Sequence, residues 1–387
     1  MREKSPDHIL VLRFSALGDV AIASPLLKAY AADNPGTKFT MVSLPMLRPL
    51  FEGAPNISFF PTDFKGRHKG LKGLLKLHKE LIDLSPTAVA DINSVLRTFI
   101  LRVLFFISFT PLSFLRKGRV EKKKLTRRYL KNLRPLMTTL RRYELVLISL
   151  GLKDINFASA PATQPPHLEL IQPPHPELTP LHPEPTPLYP EPTPPHPELT
   201  PLHPEPTPPN PDSINQRAIY KIGVAPFANH RGKIWPPQQM ERFIEMLSED
   251  ERFSVTLFGG GKKEIAILKS WELKYSGVKS VAGELSFSQE LDEIAGRDLM
   301  LTMDSANMHF ACCMRVPVIS IWGATHPYLG FYGWGQDSEM ALQSSIECRP
   351  CSSSGNKECF RGDYACLNEI TPDIVFNKIL NFFEQRL

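Results

Sequence analysis

Between residues 173 and 211 the chain repeats a proline-studded heptad: PHPELTP, LHPEPTP, LYPEPTP, PHPELTP and LHPEPTP, five copies filling 174–208. Proline lacks an amide hydrogen and its ring collides with the preceding helical turn. A proline every two or three residues therefore forbids helix and bars the segment from a central strand. What remains is an extended spacer near 3.1 Å per residue, the polyproline II geometry. So regular a repeat can also serve a proline-reading module, but its position matters more than its content. Any core must form in the blocks before and after it. The expected division is 1–160, a linker over 161–213 expected to be disordered, and 214–387.

Both blocks alternate apolar strands with helical patterns. In the first, strands are predicted at 9–14, 38–43, 57–60 and 88–92, with helices at 19–33, 69–84 and 94–107. In the second, strands fall at 221–225, 254–258, 299–303 and 316–321, with helices at 237–248, 262–276, 287–295 and 305–314. Such alternation makes parallel sheets flanked by helices. The expected fold class is α/β: two domains of this kind facing a cleft, with the Pro-rich linker inserted between them. Open parallel sheets bind ligands at the carboxyl ends of their strands, so each domain offers one substrate to the other.

The net charge of +5 conceals an asymmetry, because residues 1–150 hold 26 Lys and Arg against 11 Asp and Glu. Polar residues at the N-terminus run straight into a strand, so no secretory leader is expected. The apolar run 99–115 is broken by Arg102 and Pro111, too short and interrupted for a span of about 20 residues; it reads as a buried helix and turn. Six cysteines without a leader point to a reducing, cytoplasmic compartment.

The second block carries the densest chemistry. The strand LMLTM ends at Asp304, and a helix opens at once. Free N–H groups and a partial positive charge at a helix start favour phosphate. Ser305 adds a hydroxyl there, and His309 lies on the same face one turn later. Read blandly, Asp304 caps the helix and His309 sits in the core. After the strand KIGVA, the loop PFANHRGKIWPP presents His230, Arg231 and Lys233 beside Pro236 and Pro237, which suit a helix start. These cations look like a diphosphate clamp; the plain alternative is a solvated basic loop. In LFGGGKKE, Gly259–Gly261 allow a ligand close to the backbone, and Glu264 is placed to accept from a ribose hydroxyl.

Taken together, SALGDV, GKIWP, LFGG with a following acid, VAGELS, MDSANMH and WGATHP resemble glycosyltransferase family 9, the ADP-heptose:lipopolysaccharide heptosyltransferases. The resemblance covers nearly the whole chain outside the proline repeat. It implies two Rossmann-like domains of GT-B type, with the nucleotide sugar held by the C-terminal one. By that resemblance Lys233 contacts the phosphates, Glu264 the ribose, Asp304 the sugar hydroxyls, and Ser305 and His309 the diphosphate region. One departure is Ala306, where the family usually has glycine. Asp19, in the turn that holds Ser15 and Gly18, then faces the acceptor rather than a phosphate. A carboxylate there can take the proton of an attacking sugar hydroxyl; the competing reading is a first-turn acid favoured by the helix dipole.

The resulting expectation is an inverting, metal-independent transferase moving heptose from ADP-heptose to a lipopolysaccharide core acceptor. No cofactor is expected, since no Asp-x-Asp metal pair occurs in the chain. The basic runs 65–79 and 116–142 lack groove-reading aromatic elements, so nucleic acid is not an expected partner. They suit a phosphorylated glycolipid such as the lipid A–core acceptor and the anionic inner face of the cytoplasmic membrane; Leu71, Leu74, Leu75 and Leu77 lend the first run amphipathic character. Rival expectations are the same fold with another nucleotide-sugar donor, and a non-catalytic sugar-nucleotide or glycolipid binder. Finally, in the Cys-rich segment 348–366, Cys348, Cys351, Cys359 and Cys366 contain one CxxC, which suits zinc or a compact loop of free thiols. Cys312 and Cys313 are expected in the core.

Overall fold

The computed structural model describes residues 5–157 and 219–385. The proline tract, and with it the expected spacer over 161–213, lies outside the described residues.

The N-terminal lobe runs β1 (His8–Leu12), α1 (Leu17–Asp33), β2 (Lys38–Ser43), β3 (Ile57–Pro61), α2 (Gly70–Ile82), β4 (Ala88–Asp91), α3 (Leu96–Ile107), β5 (Leu112–Phe114), α4 (Arg119–Leu125) and α5 (Thr139–Ile148). Its five strands are all parallel, in the order β3-β2-β1-β4-β5. The strand HILVL is buried at every position, as an unalternating apolar run must be when helices cover both sheet faces. Leu74, Leu77 and Leu81 of α2 and Leu101 and Phe105 of α3 close one face over Leu10, Leu12 and Val89. Helices α1 and α5 close the other, through Val20, Leu27, Tyr143 and Leu147.

The C-terminal lobe runs β6 (Tyr220–Ala225), α6 (Pro237–Ser248), β7 (Phe253–Leu257), α7 (Lys262–Lys274), β8 (Val278–Ser280), α8 (Phe287–Ala295), β9 (Leu299–Met303), α9 (Ala306–Cys313), β10 (Val318–Trp322), β11 (Ala341–Gln343), α10 (Ala365–Asn368) and α11 (Pro372–Glu384). Its parallel sheet is ordered β11-β10-β9-β6-β7-β8, the doubly wound arrangement. Chain order reverses between β1 and β4 in one sheet and between β6 and β9 in the other, and the crevices for ligands open at those points. Pro237 opens α6 as the sequence suggested, and the buried Trp235 beside it donates its indole N–H to the Ile370 carbonyl at 2.8 Å.

Two expectations from the sequence are corrected. The run 99–115 is not buried throughout. Leu101 and Phe105 enter the core, while Phe99, Val103, Phe106, Ile107, Phe109 and Phe114 stay exposed. The cause is position: α3 lies over β4 and the edge strand β5, so only its inner face has a sheet to cover. Likewise Leu74 and Leu77 of α2 belong to the core, and only Leu71 and Leu75 face solvent. No helix among the described residues is long and apolar enough to cross a membrane.

The two lobes form one compact unit. Helix α1 packs along α9, and a single apolar cluster runs from Val20 and Ala21 to Met308 and Phe310. Cys313 Sγ donates to the Ala21 carbonyl at 3.3 Å across this junction, and Phe157 stacks on Trp334 with ring centres 4.8 Å apart. Cys312 is buried and Cys313 half-buried.

Candidate active site

The loops leaving the carboxyl ends of both sheets meet at the α1–α9 junction. On the N-terminal side, Arg13 follows β1 and is nearly fully buried. Its Nη1 donates to the Ile92 carbonyl at 2.6 Å, which spans the crevice between β1 and β4. Its Nη2 forms an ion pair with Asp19 Oδ2. Asp19 is the third residue of α1 and also accepts weakly from the Ala16 amide at 3.4 Å. A first-turn carboxylate is favoured by the helix dipole, and here a buried guanidinium fixes its direction too. Ser15 is exposed in the turn.

Gly18 is buried against the other lobe. A Cβ at this position would stand 2.7 Å from His309 Cδ2 and 3.4 Å from Ala306 Cα. Only glycine lets the start of α1 approach α9 so closely. The junction therefore brings Asp19 beside the start of the opposite helix.

On the C-terminal side, Lys233 Nζ lies 2.8 Å from Asp304 Oδ2, bridging the crevice between β6 and β9. Asp304, only 3% exposed, also accepts from Thr325 Oγ1 at 2.7 Å. The Lys233 stem lies over Gly355, where a Cβ would stand 2.5 Å from Lys233 Cγ. Ser305 caps α9 without a side-chain hydrogen bond, and its buried Oγ has no partner. His309 is buried, and desolvation pushes its pKa down to about 4 against the opposing pull of Asp304 and Asp19, so the ring is neutral near pH 7. Glu264 sits one strand over, in the first turn of α7, where Oε2 accepts from the Gly260 amide at 2.9 Å and closes the glycine loop.

Sequence reasoning missed three groups. Arg13 was hidden because a lone arginine after a strand carries no pattern. Lys122 lay unmarked inside a basic run. Phe331 has no charge to attract notice, yet its ring stands 5.3 Å from Lys233 Nζ and 5.8 Å from Lys122 Nζ, one cation from each lobe. Burial lowers the Lys122 pKa, while the Asp19 carboxylate pulls it back up. In the Cys-rich segment all four thiols are free. Among the described residues no three His, Cys, Asp or Glu side chains are placed to hold a metal ion. Arg349 holds this segment on the loops after β10 and β11, donating to the carbonyls of Gly323 at 2.6 Å, Ser344 at 2.6 Å and Thr325 at 2.9 Å.

Residues 210–360 match the model of glycosyltransferase family 9 (heptosyltransferase). Across that stretch the chain is similar to glycosyltransferase family 9. The matched stretch includes Lys233, Glu264, Asp304, Ser305 and His309. The chain is 29% identical over 165 residues to lipooligosaccharide heptosyltransferase 2 of Haemophilus influenzae, covering 41% of this chain and 46% of that protein. It spans less than half the length of the curated relatives it matches. Among solved structures, a family 9 glycosyltransferase from Veillonella parvula superposes with a TM-score of 0.65 at 16% identity, over 98% of each chain. The E. coli heptosyltransferase WaaC, solved with ADP, gives 0.58 at 16% identity, over 98% of this chain and 100% of that one. WaaC has also been solved with ADP-2-deoxy-2-fluoro heptose. These likenesses establish the GT-B fold of two Rossmann-like lobes.

Proposed function

We propose that this chain is an inverting glycosyltransferase that moves heptose from ADP-heptose to a phosphorylated sugar of a lipopolysaccharide core. One observation carries the reading: Asp19 stands at the junction beside the start of α9, where a buried serine hydroxyl lacks a partner and cations from both lobes converge. The family match supports heptose as the sugar, and the ADP seen in WaaC supports the nucleotide.

The donor diphosphate lies at the start of α9, accepts from Ser305 Oγ and backbone amides, and draws Lys233 from Asp304. Asp304, released on one oxygen, takes donor sugar hydroxyls, and Glu264 takes the ribose. The acceptor hydroxyl attacks the anomeric carbon from the face opposite the diphosphate. As that bond forms and the bond to the diphosphate oxygen breaks, Asp19 accepts the hydroxyl proton. Charge gathering on the leaving group is met by Lys233, Lys122 and the α9 dipole. The His309 ring, neutral and wedged on Gly18, sets the spacing between the helices. A lipid-linked acceptor places the reaction at the cytoplasmic face of a membrane, with the chain bound peripherally.

Asp19→Asn is the decisive variant. It should lower kcat by about a hundredfold or more and leave ADP binding, read as a thermal shift, within about twofold. Unchanged turnover would remove the base, and a donor preference for another nucleoside diphosphate in the same assay would redirect the substrate assignment.

A further inference from the structure

The exposed side of α3 is an apolar feature that the transferase reading leaves unused. Leu96, Phe99, Val103, Phe106 and Ile107 recur at three- and four-residue spacing along its outer stripe, and Phe109 follows at the helix end. They are not marginally exposed: Leu96 is 76%, Phe106 75% and Phe109 95% accessible. Helix α2 extends the patch. His78 packs edge-on to Phe105 and bonds Ser108 Oγ at 3.2 Å, so the α2 face bearing His78 adjoins α3, and Leu71 and Leu75 lie on that face. A contiguous apolar surface of this kind marks an interaction site.

Charge decides what covers it. Lys65, Arg67, Lys69, Lys72, Lys76 and Lys79 are exposed along and before α2, and Arg97 is exposed on α3. Apolar residues flanked by lysines and arginines, on a helix lying flat against its own domain, have the composition of an interfacial helix. A protein partner of matching shape would need a strongly acidic rim around a greasy centre, whereas an anionic bilayer offers both at once.

The patch also adjoins the site. A basic pocket of about 240 Å³ is lined by Ser94, Arg102, Phe114, Arg116, Lys117 and Arg119. Arg102 belongs to α3, and its guanidinium lies over the Phe114 ring at 4.3 Å. Lys117, on the other wall, is within electrostatic reach of Asp19 and Arg13. A surface that dips acyl chains beside α3 would present phosphorylated headgroups to this pocket and, beyond it, to Asp19.

We infer that the outer face of α3, with Leu71 and Leu75 of α2, inserts into the headgroup boundary of an anionic bilayer and feeds a lipid-linked acceptor to the basic pocket beside Asp19. The feeding step rests on the transferase reading; the insertion does not.

The test uses the full chain and vesicles of phosphatidylethanolamine with phosphatidylglycerol, against vesicles of phosphatidylcholine alone. Leu96→Ser/Phe106→Ser/Phe109→Ser should weaken partitioning to the anionic vesicles at least about tenfold with an unchanged thermal midpoint, because these side chains support no packing. Phe106→Trp should gain quenching by brominated acyl chains over the native background. Turnover on a delipidated, water-soluble core acceptor should stay at the wild-type level in the triple variant. Wild-type partitioning by the triple variant overturns the insertion, as does a solution dimer that the same substitutions dissolve. Loss of turnover on the soluble acceptor by the triple variant also counts against it. A wild-type chain that binds vesicles through α3 but transfers nothing to the soluble acceptor sinks the transferase reading and leaves the insertion standing.

Discussion

Gly18 and His309 show how two single residues fix the distance between the lobes. Helix propensity alone favours alanine over glycine inside a helix by about 1 kcal/mol. At Gly18 the structure reverses the sign, because the added methyl would meet the His309 ring at 2.7 Å with the Ala306 backbone behind it. Gly18→Ala is therefore expected to destabilise by about 1–3 kcal/mol, read by urea unfolding. His309 gives the matching pH dependence. Its folded pKa is pushed down to about 4, chiefly by burial, against about 6.5 in an unfolded chain. Between those values the unfolded state binds a proton that the folded state refuses, so stability falls as pH drops from about 6.5 towards 4. The full loss from this group is about 3 kcal/mol. His326, also pushed down to about 4 by burial and by Arg349, adds to the slope in the same sense. Urea midpoints at pH 7 and pH 5 should converge in His309→Gln relative to the wild type.

Elements were legible in the sequence wherever one periodicity had one cause. The buried strands at β1, β6 and β9 announced themselves as short apolar runs before a helix, β10 as an apolar run before a loop, and the loops after β6, β7 and β9 carried the residues that the family match later spanned. Helix α3 defeated the same reasoning. Its composition is that of a core helix, and only the sheet order reveals that it covers the edge and leaves half its stripe bare. Pairings across the lobes, such as Arg13 with Asp19 or Phe331 between two lysines, depend on how loops meet in space and leave no spacing to read. The Cys-rich segment was legible as a unit, but not what holds it: the buried Arg349, whose three carbonyl contacts tie it to the loops after β10 and β11. Gly355 of that segment packs under the Lys233 stem. Arg349→Met leaves those carbonyls unsatisfied, at about 1–3 kcal/mol each before relaxation. It should lower the thermal midpoint and raise KM for the donor more than it lowers kcat.

At the scale of the whole molecule, the proposed transfer raises the question of how a leaving nucleoside diphosphate is neutralised. Many enzymes use a divalent ion for this, acting as a Lewis acid on the departing oxygen. This chain has no Asp-x-Asp pair to carry one. Cations from both lobes converge beside the site: Lys233 follows β6, and Lys122 lies on α4, with Phe331 between them. Packing α1 on α9 is what brings the two sets together, so in the proposed reaction neutralisation belongs to the assembled lobes rather than to either alone. Two outcomes follow from this division. Transfer in EDTA should stay within about twofold of that in magnesium, since preorganised donors need no ion to act. Lys233→Ala should lose about a hundredfold or more in kcat, comparable to removal of an oxyanion donor, and added magnesium should not restore it. The same variant should lose about 3–5 kcal/mol of stability, because it strands the Asp304 carboxylate in a buried site. Lys233→Arg should recover the stability more fully than the rate, since a guanidinium can pair with Asp304 but its planar head is bulkier than an ammonium beside Gly355. Abolition of turnover by EDTA, or rescue of Lys233→Ala by magnesium, would assign the neutralising charge to a metal and remove the lobes' joint role.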